Sequence, residues 1–348
     1  SPHILKYNER IKIDGEPVDD ETICSAFERI ESVRENTSLS YFEFCTLAAL
    51  DLFWRADLDV QLLEVGLGGR LDAVNIIDAE ATLITSICID HCDWLGETRE
   101  AIGREKAGIF RKGVPAIIGD PEPPVSLLQS ADSKKAPVFR IGKNFFYEKK
   151  GSGWNWIGED RQMLDLPLPA LKGEHQYRNA ATVVSTIHFM ENLLPVKEIS
   201  VRKGLSEVHL KGRFQIINSD IPVLLDVGHN PQAVRALTDY IGQVFTGRRI
   251  HAVFSMMKDK DIKGVIEIMK PFVFKWYVSP LLNPRSATET MMRNSFQSSH
   301  VNNVQFGFPD FTATISEARK NAVKGNLILV FGSFFLVSEF LAGIDKGK

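Results

Sequence analysis

A glutamate and a run of glycines stand together at the end of an apolar stretch. Residues 60–65 are largely apolar but include Glu64, and residues 66–69 contain three glycines. This pattern predicts a strand that is buried on both faces, followed by a sharp turn whose backbone can lie close to a ligand. Ligands of open α/β sheets bind beyond the carboxyl ends of the strands. We therefore expect a cation or a phosphate at this turn. The alternative is a structural turn with a solvated acid.

A dinucleotide-binding fingerprint is a competing interpretation of the same glycines. That motif needs Gly-x-Gly-x-x-Gly at the start of a helix. Gly66 and Gly68 fit the first two positions, but Leu71 occupies the third. The sequence therefore disfavours a Rossmann dinucleotide site at this turn.

A histidine and a lysine extend the possible chemistry of the turn. His91 follows a second predicted buried strand, residues 81–87, and Lys106 lies in the helix predicted after it. The ends of strands in one sheet are neighbours, so Glu64 and His91 can converge. Mg²⁺ prefers oxygen ligands, which suits a carboxylate, whereas a lysine ammonium cannot bind a cation. From the residues alone, His91 is equally well interpreted as an ordinary loop histidine.

Two cysteines beside His91 raise the question of zinc. Cys88, His91 and Cys92 lie within one short segment, but a closed zinc site needs four ligands at characteristic spacings. Cys24 and Cys45 are too distant in sequence to complete such a motif. The sequence therefore favours two buried loop cysteines over a zinc site.

A second candidate anion site lies at residues 226–231, where a predicted strand meets a helix that begins at Pro231. The free amides at that helix start favour an anion, and His229 could orient a carboxylate or a phosphate there. The alternative is a structural turn in which Asp226 and Asn230 satisfy the backbone amides. Lys258–Asp261 is by default a solvated turn and helix cap, and Gly332–Ser333 after the last predicted strand is also a common turn.

The composition narrows the class of protein. The 348 residues carry 41 lysines and arginines against 44 aspartates and glutamates, a net charge of −3, which disfavours nucleic acid or an anionic membrane as a main partner. No apolar run is long enough to span a bilayer, and no signal peptide is visible. Four cysteines do not suggest a disulfide framework, so we expect a cytoplasmic protein. We also expect a monomer, because no heptad seam is present.

The order of predicted elements indicates two α/β domains. The first half mixes helices with buried strands at residues 60–65, 81–87 and 114–118, and it also contains a predicted hairpin at residues 145–157. A new strand–helix alternation begins after Lys211–Phe214, which predicts a hinge there and a parallel, doubly wound sheet beyond it. We therefore expect domains at residues 1–210 and 211–348. The predicted strands of the second domain lie at residues 223–227, 251–254, 272–278 and 326–331.

These motifs, taken in order, closely resemble the bacterial dihydrofolate synthase / folylpolyglutamate synthases of the Mur ligase group. Some of the segments are weak signals alone, but the ordered set covers nearly the whole chain and is highly specific. The matching segments are residues 1–3, 39–43, 63–75, 86–96, 103–109, 212–215, 226–231, 258–261 and 332–333.

The resemblance implies a two-domain, Mur-ligase-like α/β fold, in which a parallel-sheet ATPase domain precedes a smaller Rossmann-like domain. It also implies Mg²⁺ at two sites, with Glu64 and His91 as ligands. Lys106 matches the lysine that is carbamylated in this family, and a carbamate supplies two oxygens in place of the ammonium. K⁺ is a further candidate ion.

The resemblance assigns the remaining site residues by position. Catalytic roles fall on His229, Lys106 and Arg213. The positions that match the family's ATP-binding residues are Asn179, Arg213 and Asp226; those on the pterin side are Phe42, Asp72 and Arg70; and those that handle the incoming glutamate are His229, Ser333 and Lys258.

One departure from the family is serious. The family carries a glycine-rich phosphate loop ending in Gly-Lys-Ser or a close variant ahead of the Ser1–His3 segment, and no such motif occurs here. We therefore expect that the sequence lacks the N-terminal part of the ATPase domain, and that the chain as given is inactive without that loop.

The reaction that the resemblance implies is ATP-dependent amide formation. A substrate carboxylate on dihydropteroate or a reduced folate becomes an acyl phosphate, which the amine of L-glutamate attacks. Two other functions stay open on the sequence alone. One is a Mur-type ligase for a cell-wall peptide, and the other is a non-catalytic folate- or nucleotide-binding protein.

Overall fold

The computed structural model of the protein describes residues 2–345, and Ser1 of the Ser1–His3 segment lies outside them. The chain begins with a short hairpin of β1 (Lys12–Ile13) and β2 (Glu16–Pro17). Two helices that pack on each other follow, α1 (Asp20–Arg34) and α2 (Tyr41–Arg55). Both helices begin at capped positions. Asp19 accepts a hydrogen bond from the Thr22 amide at α1, and Ser40 and Glu43 form a capping box at α2. No helix in the described part of the chain could cross a bilayer.

The first parallel sheet has three described strands, in the order β3–β4–β5. Helices α4, α5 and α6 belong to the same unit, and short helix α3 follows the first strand. The prediction of a helix around Lys106 is confirmed, whereas the sequence did not predict α5 or β5. The bounds are β3 (Thr82–Ile84), α3 (Cys92–Leu95), α4 (Arg99–Lys106), β4 (Ala116–Ile118), α5 (Val125–Lys134), β5 (Val138–Arg140) and α6 (Glu174–Phe189).

The predicted strand at residues 60–65 is wrong. This stretch has no strand pairing, and Leu62 and Val60 are 89% and 52% exposed. An apolar run becomes a buried strand only where neighbouring strands satisfy its backbone and cover its side chains. None of the described strands pairs with this stretch, so Glu64 sits in an extended, exposed segment.

An antiparallel three-stranded sheet follows β5. It consists of β6 (Phe146–Lys150), β7 (Gly153–Ile157) and β8 (Gln162–Pro167). The hairpin prediction is confirmed, but the third strand was not foreseen. Helix α7 (Glu198–Glu207) then leads to the segment that joins the two halves of the molecule.

The second half contains one six-stranded sheet in the order β13–β12–β11–β14–β10–β9, parallel except for antiparallel β9 at one edge. Apolar helix faces cover both sides, α8, α9 and α10 on one and α11 and α12 on the other. The doubly wound pattern is therefore confirmed. The bounds are β9 (Gln215–Ile217), β10 (Val223–Asp226), α8 (Pro231–Val244), β11 (Ile250–Phe254), α9 (Ile262–Met269), β12 (Val273–Val278), α10 (Glu289–Ser298), β13 (Val304–Gln305), α11 (Phe311–Asn321), β14 (Leu327–Phe331) and α12 (Phe334–Asp345).

The glycine turn lies against the end of α4, and this contact positions the site. The Arg70 amide donates to the Glu105 carbonyl at 2.9 Å. A Cβ on Gly69 would lie 3.0 Å from the carbonyl oxygens of Glu105 and Lys106, and one on Gly108 would lie 2.2 Å from the Arg70 Cα. The backbones approach so closely that only glycine fits at these two positions.

Gly108→Ala should therefore destabilise the protein, because its methyl group would overlap the Arg70 backbone. We expect a loss of about 1–3 kcal/mol or more in the free energy of unfolding, measured by urea denaturation. Gly204→Ala is the matched control. Gly204 lies inside α7 with open space around it, so its replacement should stabilise by about 0.5–1 kcal/mol. Equal unfolding midpoints for the Gly108→Ala variant and the wild type would contradict this packing.

Candidate active site

Three residues that the sequence assigned to the pterin side surround the glycine turn. The Phe42 ring packs on Gly66 so closely that a Cβ there would lie 2.5 Å from the ring. Asp72 accepts hydrogen bonds from the Leu67 amide at 2.9 Å and from the Val74 amide at 3.0 Å. Arg70 pairs with Glu105 of α4 at 3.1 Å. The turn is thus fixed by backbone contacts, and one aromatic ring forms its wall.

His91 has an unusual backbone conformation for a residue that is not glycine. Its φ is 53°, in the left-handed region, and it precedes the first turn of α3. The Asp90 side chain accepts from the His91 amide at 2.8 Å and so supports this conformation. The ring Nε2 lies 3.3 Å from the Lys260 Nζ. Burial, and then the charge of Lys260, lower the pKa of His91.

Lys106 is the last residue of α4. Burial lowers the pKa of its amine, although the charges of Cys88 and Asp90 act in the opposite direction. A lowered pKa leaves more of the uncharged amine, which is the form that reacts with carbon dioxide to give a carbamate. Within residues 2–345, no group of three or more His, Cys, Asp or Glu side chains is arranged to hold a metal ion. The convergence of Glu64, His91 and Lys106 stays a prediction.

Asp226 ties the joining segment to the second sheet. It ends β10, is 4% exposed, and accepts from the Gly228 amide at 2.8 Å and the Phe214 amide at 3.2 Å. Burial raises its pKa to about 6, although these amides and the charge of Arg213 oppose the increase. Its side chain thus positions the link next to Arg213 by accepting hydrogen bonds from the backbone.

Two of the other predicted site residues, Arg213 and His229, lie near the Phe334 ring. The Arg213 guanidinium lies 5.5 Å from the Phe334 centroid, and the His229 ring centroid lies 6.2 Å from it with the two ring planes tilted by 56°. His229 also donates from Nδ1 to the Val227 carbonyl at 2.9 Å, with the tautomer assigned from that contact. These contacts hold Arg213 and His229 at one end of the second sheet.

Three predicted residues have local partners. The Ser333 hydroxyl accepts from the Leu336 amide at 3.1 Å and is buried as the cap of α12. Lys258 is exposed and its Nζ donates to the Pro284 carbonyl at 3.3 Å. Asn179 donates to Gln176 within α6 at 3.2 Å. Their predicted roles in binding glutamate and ATP stay predictions.

A cavity of about 590 Å³ lies between the two halves of the molecule. The loop after β3 lines one side and the start of α8 lines the other, whereas Glu64 and Lys106 are not among the lining residues. The charged and polar residues around it are Ser86, Asp90, His91, Arg99, Asp120, Glu122, Arg178, Asn230, Gln232, Arg235, Asp259, Lys260 and Asp261.

Two residues at the centre of the site were missed from the sequence, Asp90 and Lys260. The Lys260 Nζ lies 2.7 Å from Asp90 Oδ1. Burial alone would raise the pKa of Asp90, but hydrogen bonds from His229, Lys260 and Asn230 outweigh it and lower the pKa. The sequence offered one weak signal for each: Asp90 is adjacent to His91, and Lys260 lies two residues after Lys258, in a segment interpreted as a solvated turn.

The raised pKa of Asp226 predicts how stability depends on pH. A carboxyl whose pKa is about 6 when folded, against an ordinary 3.8, favours folding in its protonated form, so its contribution is lost as pH rises from about 4 to 6. Asp226→Asn stays neutral. As pH rises across this window, the unfolding free energy of Asp226→Asn should therefore increase relative to that of the wild type by up to about 3 kcal/mol, measured by urea denaturation at each pH. Asp132→Asn, at an exposed position of α5, is the control. Parallel pH curves for Asp226→Asn and the wild type would contradict this assignment.

Comparison with known proteins places this site in a family. Residues 212–334 match the family described as Mur ligase, glutamate ligase domain. The chain is 40% identical to the dihydrofolate synthase/folylpolyglutamate synthase of Escherichia coli (strain K12) over 348 residues, 100% of this chain and 80% of that protein. Among solved structures, Escherichia coli FolC in complex with DHPP and ADP aligns with a TM-score of 0.93 at 39% identity, covering 100% of this chain and 81% of that one.

A second solved structure of a relative contains a metal ion, a nucleotide analogue and glutamate. A bifunctional folylpolyglutamate synthase/dihydrofolate synthase with Mn, AMPPNP and L-glutamate bound aligns with a TM-score of 0.91 at 40% identity, covering 99% of this chain and 81% of that one. The predicted fold class and family are therefore confirmed. The chain belongs to the dihydrofolate synthase/folylpolyglutamate synthase family of Mur ligases.

Proposed function

We propose that this protein is an ATP-dependent ligase that joins L-glutamate to dihydropteroate and to reduced folates. The observation that carries the proposal is the cavity between the two halves, where the His91 loop faces the His229 turn. The family membership and the ligands named for its relatives support the same reaction.

The proposed chemistry has two steps. A substrate carboxylate attacks the γ-phosphorus of ATP, which forms an acyl phosphate and releases ADP. The uncharged amine of L-glutamate then attacks the acyl carbon, an amide bond forms, and inorganic phosphate leaves. Phosphoryl transfer depends mainly on positioning and on neutralising charge. Arg213 would stabilise the phosphates, and His229 would orient the glutamate or the acyl phosphate.

Nucleotide binding would use the second half of the site. Arg213 lies beside the link, held over Phe334, and Asp226 fixes that link through two backbone amides. Asn179 lies in α6, whose His175 ring contacts Phe214 of the same link with 5.5 Å between centroids. This arrangement supports the proposed contacts of Asn179, Arg213 and Asp226 with ATP.

A divalent cation, which we propose is Mg²⁺, would be held by Glu64, His91 and Lys106 in its carbamate form. Two observations favour this donor set. The glycine turn after Glu64 docks on the carbonyls of Glu105 and Lys106, and burial lowers the pKa of the Lys106 amine. When bound, such a cation neutralises phosphate charge. A second Mg²⁺ and K⁺ belong to the same proposal.

The substrate's pterin would lie near the glycine turn. Phe42 offers a ring face there, Asp72 offers carboxylate oxygens that already hold the turn, and Arg70 is partly exposed beside them. We further propose a domain boundary near Lys211, a monomeric state and a cytoplasmic location. The separate sheets on the two sides of residue 211 favour the boundary, and four cysteines without disulfide bonds favour the location.

The direct test supplies ATP, Mg²⁺, dihydropteroate and L-glutamate and detects dihydrofolate by mass spectrometry. Because the sequence has no Gly-Lys-Ser loop, the assay compares the chain alone with a hybrid that carries a phosphate-loop segment ahead of Ser1. We expect amide formation in the hybrid. A hybrid that binds ATP but forms no amide with dihydropteroate or tetrahydrofolate would overturn the proposal and favour a binding protein.

Removal of the Lys106 amine should strongly reduce amide formation in the hybrid. The proposed carbamate supplies oxygens that alanine cannot, so Lys106→Ala should lose activity by about 10²-fold or more. Short carboxylic acids added to the assay should restore part of it by supplying a carboxylate in the vacated space. Lys112→Ala, at an exposed lysine after α4, is the control. Failure of any short acid to restore activity would argue against the carbamate.

Removal of the His229 imidazole should affect ligation more than nucleotide binding. In the hybrid, His229→Ala should raise KM for L-glutamate or lower kcat by about 10²-fold, because a positioned hydrogen-bonding group near the reacting atoms is lost. The nucleotide Kd, measured by calorimetry, should change little. Arg213→Ala should show the opposite pattern. Normal saturation by glutamate in His229→Ala would show that the turn is structural only.

A further inference from the structure

We propose that Asp90 is a positioning residue that holds the His229 turn and Lys260 of the second half against His91 of the first half. The kinetic part of this proposal rests on the proposed function, whereas the structural part does not. Asp90 lies in the loop after β3, on the N-terminal side of the cavity.

The two carboxylate oxygens of Asp90 are shared between the halves of the molecule. Oδ1 accepts from the His91 amide at 2.8 Å and from the Lys260 Nζ at 2.7 Å. Oδ2 accepts from the Asn230 Nδ2 at 3.0 Å and lies 3.5 Å from the His229 Nε2. Three of these groups, the His91 amide, Lys260 and Asn230, donate hydrogen bonds to the carboxylate, whereas the His229 ring lies beside it within ion-pair distance. Three of the four belong to the second half.

Burial makes this arrangement costly to break. The side chains of Asp90 and Lys260 are only 17% and 5% exposed. A buried charge needs a counter-charge and hydrogen bonds, and loss of one partner leaves the other uncompensated. The next acidic group for Lys260 is Asp259, whose carboxylate lies 3.7 Å away. Asp90 is thus the closest negative charge to the Lys260 ammonium.

The contacts of Asn230 extend the effect of Asp90 to a whole helix. Its Oδ1 accepts from the Ala233 amide at 2.9 Å and caps α8, while its Nδ2 donates to Asp90. His229 is held from its other side by the Val227 carbonyl. One carboxylate therefore sets the start of α8 and the His229 ring relative to His91. A salt bridge that only added stability would not need to contact these site residues.

Hydrogen–deuterium exchange on the chain as it stands tests the structural part. Asp90→Asn keeps the shape but removes the charge and places an NH₂ group against donors. We expect exchange in peptides covering residues 226–235 and 258–262 to accelerate by about tenfold or more. Peptides from the centre of the six-stranded sheet should not change. Asp160→Asn is the matched control, because Asp160 pairs with His188 at 3.0 Å on an exposed surface within one half.

A variant on the other side of the pair guards against local misfolding at position 90. Lys260→Met keeps an unbranched side chain without the ammonium and should accelerate exchange in peptides covering residues 86–95. The double variant should exchange only slightly faster than either single variant, because each single variant already removes the same interaction. Unchanged exchange across the cavity in both single variants would overturn the proposal.

Kinetics in the hybrid enzyme test the positioning role. Asp90→Asn should raise KM for L-glutamate by about tenfold or more, while the Kd for nucleotide stays within about twofold. Accelerated exchange with an unchanged KM for glutamate would overturn the positioning role. If the unmodified hybrid makes no amide at all, the proposed function fails, and the exchange measurements alone decide whether Asp90 joins the two halves.

Discussion

The close approach between the glycine turn and the end of α4 is the contact on which the N-terminal part of the site depends. The Arg70 amide reaches the Glu105 carbonyl at 2.9 Å only because Gly69 and Gly108 carry no side chain. Helix α4 ends there, so Lys106 and the turn after Glu64 are fixed by one backbone contact. The Phe42 ring and the Asp72 carboxylate then pack against or hydrogen-bond to the turn from α2 and from the following loop. The residues assigned to the metal ion, Glu64 and Lys106, and those assigned to the pterin, Phe42 and Asp72, thus all lie around the same few backbone atoms.

Much of the fold followed from local patterns in the sequence. The start of α8 was predicted because Pro231 suits the first position of a helix, and Asn230 before it can cap the amide three residues on. The strands of the second sheet were readable because both of their faces are buried and their runs are uniformly apolar. Residues 60–65 show the same apolarity but form no strand, because apolarity reports a tendency to be covered and cannot specify the partner. Edge strands β9 and β13 are short and only half buried, so they gave little signal.

The site was predicted less completely, and the omissions share a cause. His91 and His229 were identified as residue types that bind ligands; His91 lines the cavity, and His229 directly precedes Asn230, which also lines it. Asp90 and Lys260 were not, because a carboxylate and an ammonium in loops are usually solvated. Their importance comes from burial of the pair between the two halves of the molecule, although the two residues are 170 positions apart in sequence. No local pattern in the sequence indicates a contact between residues so far apart. The resemblance to a known family included both segments, residues 86–96 and 258–261, but did not indicate that they meet.

The left-handed backbone of His91 limits which residues evolution or design can place there. Most side chains pay about 1 kcal/mol or more to adopt φ near 53°, whereas asparagine and glycine do so readily. A change to alanine at this position therefore mixes two losses, the imidazole and a tolerated backbone conformation. Asparagine keeps the backbone and removes the ring, so it separates them. Where relatives lack a histidine at this position, we expect asparagine, aspartate or glycine to predominate over β-branched residues, because the turn into α3 constrains the backbone independently of any ligand.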